Sequence, residues 1–146
     1  LCLPRDPQWG SYNEVASELA EVWGAEYETP NFPFNVRANG PSSLQNQNVP
    51  CAVCRTKARS TILMIPARHD CFEGWTTEYW GYLTTGHKLH KGRYQYACMD
   101  AEPGADMAGY RDENGALFYP VDARCGSLPC PPYIEGRELT CVVCSK

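Results

Sequence analysis

Nine cysteines in 146 residues constrain this chain more than any other feature. Four of them form two Cys-x-x-Cys pairs, CAVC (Cys51, Cys54) and CVVC (Cys141, Cys144), and the rest are Cys2, Cys71, Cys98, Cys125 and Cys130. Such density means cross-linking, by disulfides or by zinc. Two Cys-x-x-Cys pairs can close a tetrahedral four-sulfur site, but zinc ribbons keep their pairs within roughly twenty residues of each other. Cys54 and Cys141 are much farther apart, and a single zinc would leave the other cysteines as free thiols. The residues inside the pairs, Ala52-Val53 and Val142-Val143, suit strands, and residues three apart in a strand point to opposite faces. Each cysteine of a pair is therefore expected to bond elsewhere. No βαβ pattern surrounds either pair, which weakens a thioredoxin-type redox reading. Disulfides imply an oxidising compartment, so the chain reads as secreted or extracellular.

An odd count leaves one cysteine free or bonded to a second chain. Sequence cannot choose among on the order of 100 pairings of the other eight. Cys2, beside the terminus, is the expected candidate for a link between chains, or for a residue whose partner was cut away. The opening LCLPRDPQWG lacks the charged and apolar regions of a signal peptide, which reads as a processed form. The longest apolar block is Ile62-Leu63-Met64-Ile65, far short of the roughly 20 residues that span a bilayer. There is no Asn-x-Ser/Thr acceptor for N-glycosylation.

The length fits one domain, 1–146, with no internal repeat and no linker. A net charge of −4 argues against a nucleic-acid partner and is compatible with cation binding. The fold class expected is mainly β: a single disulfide-rich antiparallel β domain with long loops and at most one short helix. Residues 12–23 offer that helix, because Val15, Leu19, Val22 and Trp23 follow helical spacing. Residues 29–50 form a Pro/Asn/Gly/Ser-rich loop. Strands are expected over 52–65, ending at Pro66, and over 75–84, 93–99, 115–121 and 139–143.

Residues 49–71 (VPCAVCRTKARSTILMIPARHDC), 73–90, 96–102, 115–132 (GALFYPVDARCGSLPCPP) and 133–146 closely resemble the non-collagenous domain of short-chain collagen (spongin-like) proteins of marine invertebrates. The opening segment is similar to the interior of that domain, and the resemblance spans most of the chain apart from roughly residues 12–45. This chain has no Gly-x-y repeat and so cannot form a collagen stalk. The family includes a galactose-binding lectin of a sea anemone. What the resemblance implies is a homodimer that recognises galactose-terminated glycans through a bound calcium ion. The structural alternative is a matrix domain without sugar affinity.

Local support for calcium lies in DAEPGADMAGYRDE, where Asp100, Glu102, Asp106, Asp112 and Glu113 sit among glycines and a proline. Calcium takes six to eight oxygens from a loop that wraps it, and this spacing is not that of an EF-hand. A solvated acidic loop is the bland reading. For the sugar, Trp80, Tyr82 and Tyr110 are candidate stacking rings and Arg111 and Arg93 candidate donors, although Trp80 and Tyr82 on one strand face are expected to pack in the core. His87-x-x-His90 could hold zinc or contact sugar, and two histidines alone are a weak metal signal. His69-Asp70 beside Cys71 looks like a dyad, but adjacent residues in an extended chain point apart. Ser127 lacks the nucleophile-elbow pattern, so no enzyme is expected.

Overall fold

The computed structural model describes residues 2–11, 20–30, 43–92, 94–106 and 109–146. The protein is mainly β and disulfide-rich, with no helix among the described residues. Its six strands are β1 (Ala25–Tyr27), β2 (Ile62–Pro66), β3 (Thr76–Thr85), β4 (Ala97–Asp100), β5 (Ala116–Pro120) and β6 (Thr140–Ser145). They form one sheet in the order β1-β5-β3-β6-β2, with β4 also on β3. Every pairing is antiparallel except β1 with β5, which makes the sheet mixed.

β3 is the spine. Its sequence TTEYWGYLTT is dense in β-branched and aromatic residues, and it is the longest strand. One edge carries β6 over Thr76–Tyr82 and then β5 at Thr84–Thr85, while β4 takes the other edge over Gly81–Thr84. Backbone bonds from Leu83 N to Leu139 O (2.9 Å) and from Val121 N to Leu83 O (3.0 Å) close the corner where β6 gives way to β5. Gly81 is required at the crossing: a Cβ there would lie 1.7 Å from the Met99 carbonyl oxygen.

Cys141 and Cys144 are buried on β6 and point to opposite faces, as their spacing dictates. Cys141 bonds Cys98 on β4, and Cys144 bonds Cys71 in the loop before β3. Val142, Cys141, Cys144, Thr84 and Ser145 are the most fully buried side chains, so sulfur bridges fill space that aliphatic side chains would take in a larger domain. A second cluster buries Tyr27, Leu44 and Met99 beneath Val49, Tyr82, Ala105 and Phe118.

Two expectations need correction, and a third is mostly outside the described residues. Residues 52–61 are not strand, and only Ile62–Pro66 pairs with β6. Thr56 Oγ1 donates to the Arg59 carbonyl at 2.7 Å around Ala58, whose φ of 56° lies in the left-handed region, so the segment turns before it can extend. Cys2 is not the odd cysteine: it pairs with Cys51, and Cys54 is the exposed free thiol. Outside a strand, CAVC has no reason to bury both sulfurs. The expected helix over 12–23 falls mainly on residues outside those described, and 20–23 have no regular structure.

β1 was not expected. It holds because both of its edges are bonded. Glu28 N donates to Phe118 O (3.0 Å) on the β5 side, while Tyr27 N donates to Gln47 O and Val49 N to Ala25 O, both at 2.9 Å, on the side of residues 46–49.

Candidate functional site

β1 places two carboxylates where sequence reading found none. In a strand, Glu26 and Glu28 point to the face opposite Tyr27, which goes into the core. Both are buried, at 3% and 9% exposure. The turn before β5 adds Asp112, and oxygen atoms of Glu26, Glu28 and Asp112 all come within 4.8 Å of one another. This acidic triad could hold a metal ion. Its donors are all carboxylate oxygens, which select a hard cation over a thiol- or imidazole-loving one.

The triad is built rather than incidental to side-chain rotation. Glu26 accepts the Glu113 N–H (3.0 Å) and the Asn114 N–H (3.2 Å), so one carboxylate gathers the turn that delivers Asp112. Asn114 Nδ2 donates to Asp112 Oδ1 at 2.5 Å. Asn114 takes φ 55°, a conformation asparagine tolerates better than most residues. Gln45 donates through Nε2 to Glu28 Oε2, and its Oε1 accepts the Thr29 N–H at 2.8 Å. Among the described residues none of the three acids has a basic ion-pair partner. Glu26 and Glu28 are buried and Asp112 is exposed; ionised carboxylates this close repel one another, and a divalent cation could relieve the repulsion.

The five acids expected to form a calcium loop are dispersed. Asp112 is the one that joins the triad. Asp100 caps its own turn, accepting the Glu102 N–H at 2.8 Å, and its charge adds to the burial that pushes the Tyr27 phenol up to about 12. Asp106 N donates to Asn48 O (3.1 Å), and its carbonyl accepts from Gly109 N (3.0 Å). Glu113 pairs with Arg111 at 3.5 Å, both exposed. A signal for the missed residues was present: Glu26-x-Glu28 is the period of a strand. It went unread because three residues are too few to register as one.

The sugar candidates are likewise spread out. Trp80 is 42% exposed, with His69 edge-on at 6.0 Å and Tyr82 tilted at 6.2 Å between ring centroids. Tyr82 packs on the core cluster as expected, whereas Trp80 stays half in solvent. Tyr110 and Arg111 are exposed beside Asp112. Arg93 lies outside the described residues. His69 Nδ1 does meet Asp70 Oδ2, at 2.8 Å, because the chain bends there instead of extending. Both side chains are mostly exposed, and the neighbouring Cys71 is locked in a disulfide.

A cleft of about 460 Å³ opens between the loop after β3 and the end of β5. Thr85, Gly86, His87, Tyr119, Pro120 and Val121 are among its walls. Tyr119 follows Phe118, whose carbonyl receives the Glu28 N–H, so the parallel register sets Tyr119 alongside Glu28. Burial raises the Tyr119 phenol pKa, and the charges of Glu28 and Asp112 raise it further. A second concavity of about 370 Å³ lies over Ala67, Ala123, Tyr133, Ile134 and Leu139.

No family model matches the chain, and no solved structure matches it. No helix among the described residues is long and apolar enough to cross a membrane.

Proposed function

We propose that the protein is a secreted, calcium-dependent lectin for galactose-terminated glycans, acting as a homodimer. The observation that carries this reading is the triad of buried Glu26 and Glu28 with exposed Asp112, whose neighbour Tyr119 walls an open cleft. The resemblance to the spongin-like domain adds to it, and the four disulfides fit an extracellular setting. Calcium at the triad would supply open coordination positions for a pair of vicinal sugar hydroxyls. The chain's own part is to fix the carboxylates: Gln45 holds Glu28, and the Glu113 and Asn114 N–H groups hold Glu26.

Bridging two cells needs two sites per particle, and a two-fold dimer is the common way to supply them. Exposed Cys54 takes over from Cys2 as the residue available for a covalent link. Red-cell agglutination is the test. Agglutination inhibited by galactose and abolished by EDTA supports the reading, and its absence with a calcium-loaded dimer removes it. The matrix-domain alternative draws support from the same exposed thiol. Disulfide-linked assemblies that bind no galactoside would favour it.

A further inference from the structure

Three rings stand together where His87 and Tyr119 wall the cleft, and they include the histidine pair that the sequence offered for zinc or sugar but not its Trp80, Tyr110, Arg111 or Arg93. The His87 and His90 rings lie 4.8 Å apart, His87 and Tyr119 4.9 Å, and His90 and Tyr119 6.1 Å. The loop that carries the histidines is held in several places. His90 N donates to His87 O at 3.0 Å, and Tyr94 Oη donates to Lys91 O at 3.2 Å. The Tyr94 ring lies so close over Gly86 that a Cβ there would fall 2.3 Å from it, so only glycine lets the loop fold down. Leu89 N donates to His87 Nδ1 at 3.3 Å, which leaves the proton of the neutral imidazole on Nε2 as a donor.

We infer that this wall of Tyr119, His87 and His90 is the sugar platform, on which the apolar face of a galactoside rests while its vicinal hydroxyls turn toward the acidic triad. A β-galactoside has the matching shape: its axial 4-hydroxyl leaves a C–H-rich patch on the opposite face, which packs on an aromatic ring. Its hydroxyls need donors and acceptors at the rim, and His87 Nε2–H and the carboxylates provide them. The Trp80 face offers a ring too, but its ring neighbours are His69 and Tyr82, and it is not in the wall of the cleft. This inference rests on the lectin reading and adds the position of the sugar.

The test is calorimetric titration of the calcium-loaded protein with methyl β-galactoside, with calcium titrated separately into each metal-free variant. Tyr119→Ala should weaken galactoside binding by roughly tenfold or more, with the calcium isotherm preserved, and Tyr119→Phe should recover most of the loss. His87→Ala should weaken galactoside binding severalfold. In the unmodified protein, the His87 and His90 ring proton resonances should shift on adding the galactoside, a readout that needs no variant. Undisturbed histidine resonances during saturable galactoside binding would overturn the inference. So would retained binding by Tyr119→Ala together with loss on Trp80→Ala. A wild-type protein that binds no galactoside at all would remove the lectin reading itself, and the platform with it.

Discussion

The two ends of β3 are held by different physics. From its start to Tyr82, β3 is tied to β6 by a long antiparallel ladder, with one bridge from β6 beside Thr77 and a second that reaches β4 across Gly81–Leu83. At its end, β1, β5 and the turn at 112–114 are held by short pairings and by carboxylates that accept backbone N–H groups. Cross-links between Cys71 and Cys144 and between Cys98 and Cys141, with separations of 73 and 43, each contribute about 4 kcal/mol by restricting the unfolded chain. The polar end has no comparable source. The contrast teaches where function can sit: a sheet that covalent bonds already secure can afford a neighbour with three carboxylates within 4.8 Å of one another.

If that division is right, reduction should do the most damage. Dithiothreitol should lower the melting temperature by roughly 20 °C or more, read in a thermal scan. An unchanged transition would mean that the ladder alone secures the sheet. Gly81→Ala should follow, since its Cβ would run into the Met99 carbonyl in the middle of two ladders. A loss of several kcal/mol in urea titration is expected, comparable with the worst core overpacking at about 3 kcal/mol.

The polar end should answer to ions instead. Calcium at 100 times its dissociation constant should stabilise the fold by about 2.7 kcal/mol, and Glu26→Gln with Glu28→Gln should erase that gain in the same scan. Calcium stabilisation that survives the double substitution would place the ion elsewhere. The alkaline limb should then report the seam between the two halves. The Tyr27 phenol, which donates to Gly104 O at 2.9 Å, is pushed up from 10.0 to about 12, chiefly by burial and then by Asp100. A folded-state pKa above the unfolded one gives stability that is whole below pH 10 and is lost as pH rises toward 12. Tyr27→Phe should flatten that slope, at the cost of the hydrogen bond. The smallest effect belongs to Cys54: one thiol per chain should react with a disulfide reagent in the native state. Cys54→Ser should abolish that reaction and any covalent dimer, while moving stability by less than about 0.5 kcal/mol.

The covalent end was also the legible one. β3 and β6 were readable because TTEYWGYLTT and TCVVCS concentrate β-formers, and because the spacing of Cys141 and Cys144 fixes opposite faces whatever their partners. The same reasoning failed at Cys51 and Cys54, where Ala58 turns the chain out of the strand that the argument required. β1 could not be read locally. Its three residues pair with β5 and with residues 46–49, both distant in sequence, so the force that makes it a strand is entirely tertiary. The acidic triad inherits that invisibility. Asp112 was nominated from a crowd of acids, but Glu26 and Glu28 become its neighbours only through the parallel pairing.

The double duty of Glu26 has a consequence for affinity. Its two oxygens already accept the N–H groups of Glu113 and Asn114. A cation would take the remaining lone pairs, and it would draw on the same carboxylate charge that holds the turn, so each interaction would weaken the other. If calcium is the ion, such a site would suit an environment where it is plentiful, in the range of about 10⁻⁴–10⁻³ M that extracellular calcium modules use. It would fill and empty with the composition of the surrounding water, and the turn at 112–114 would tighten and slacken with it.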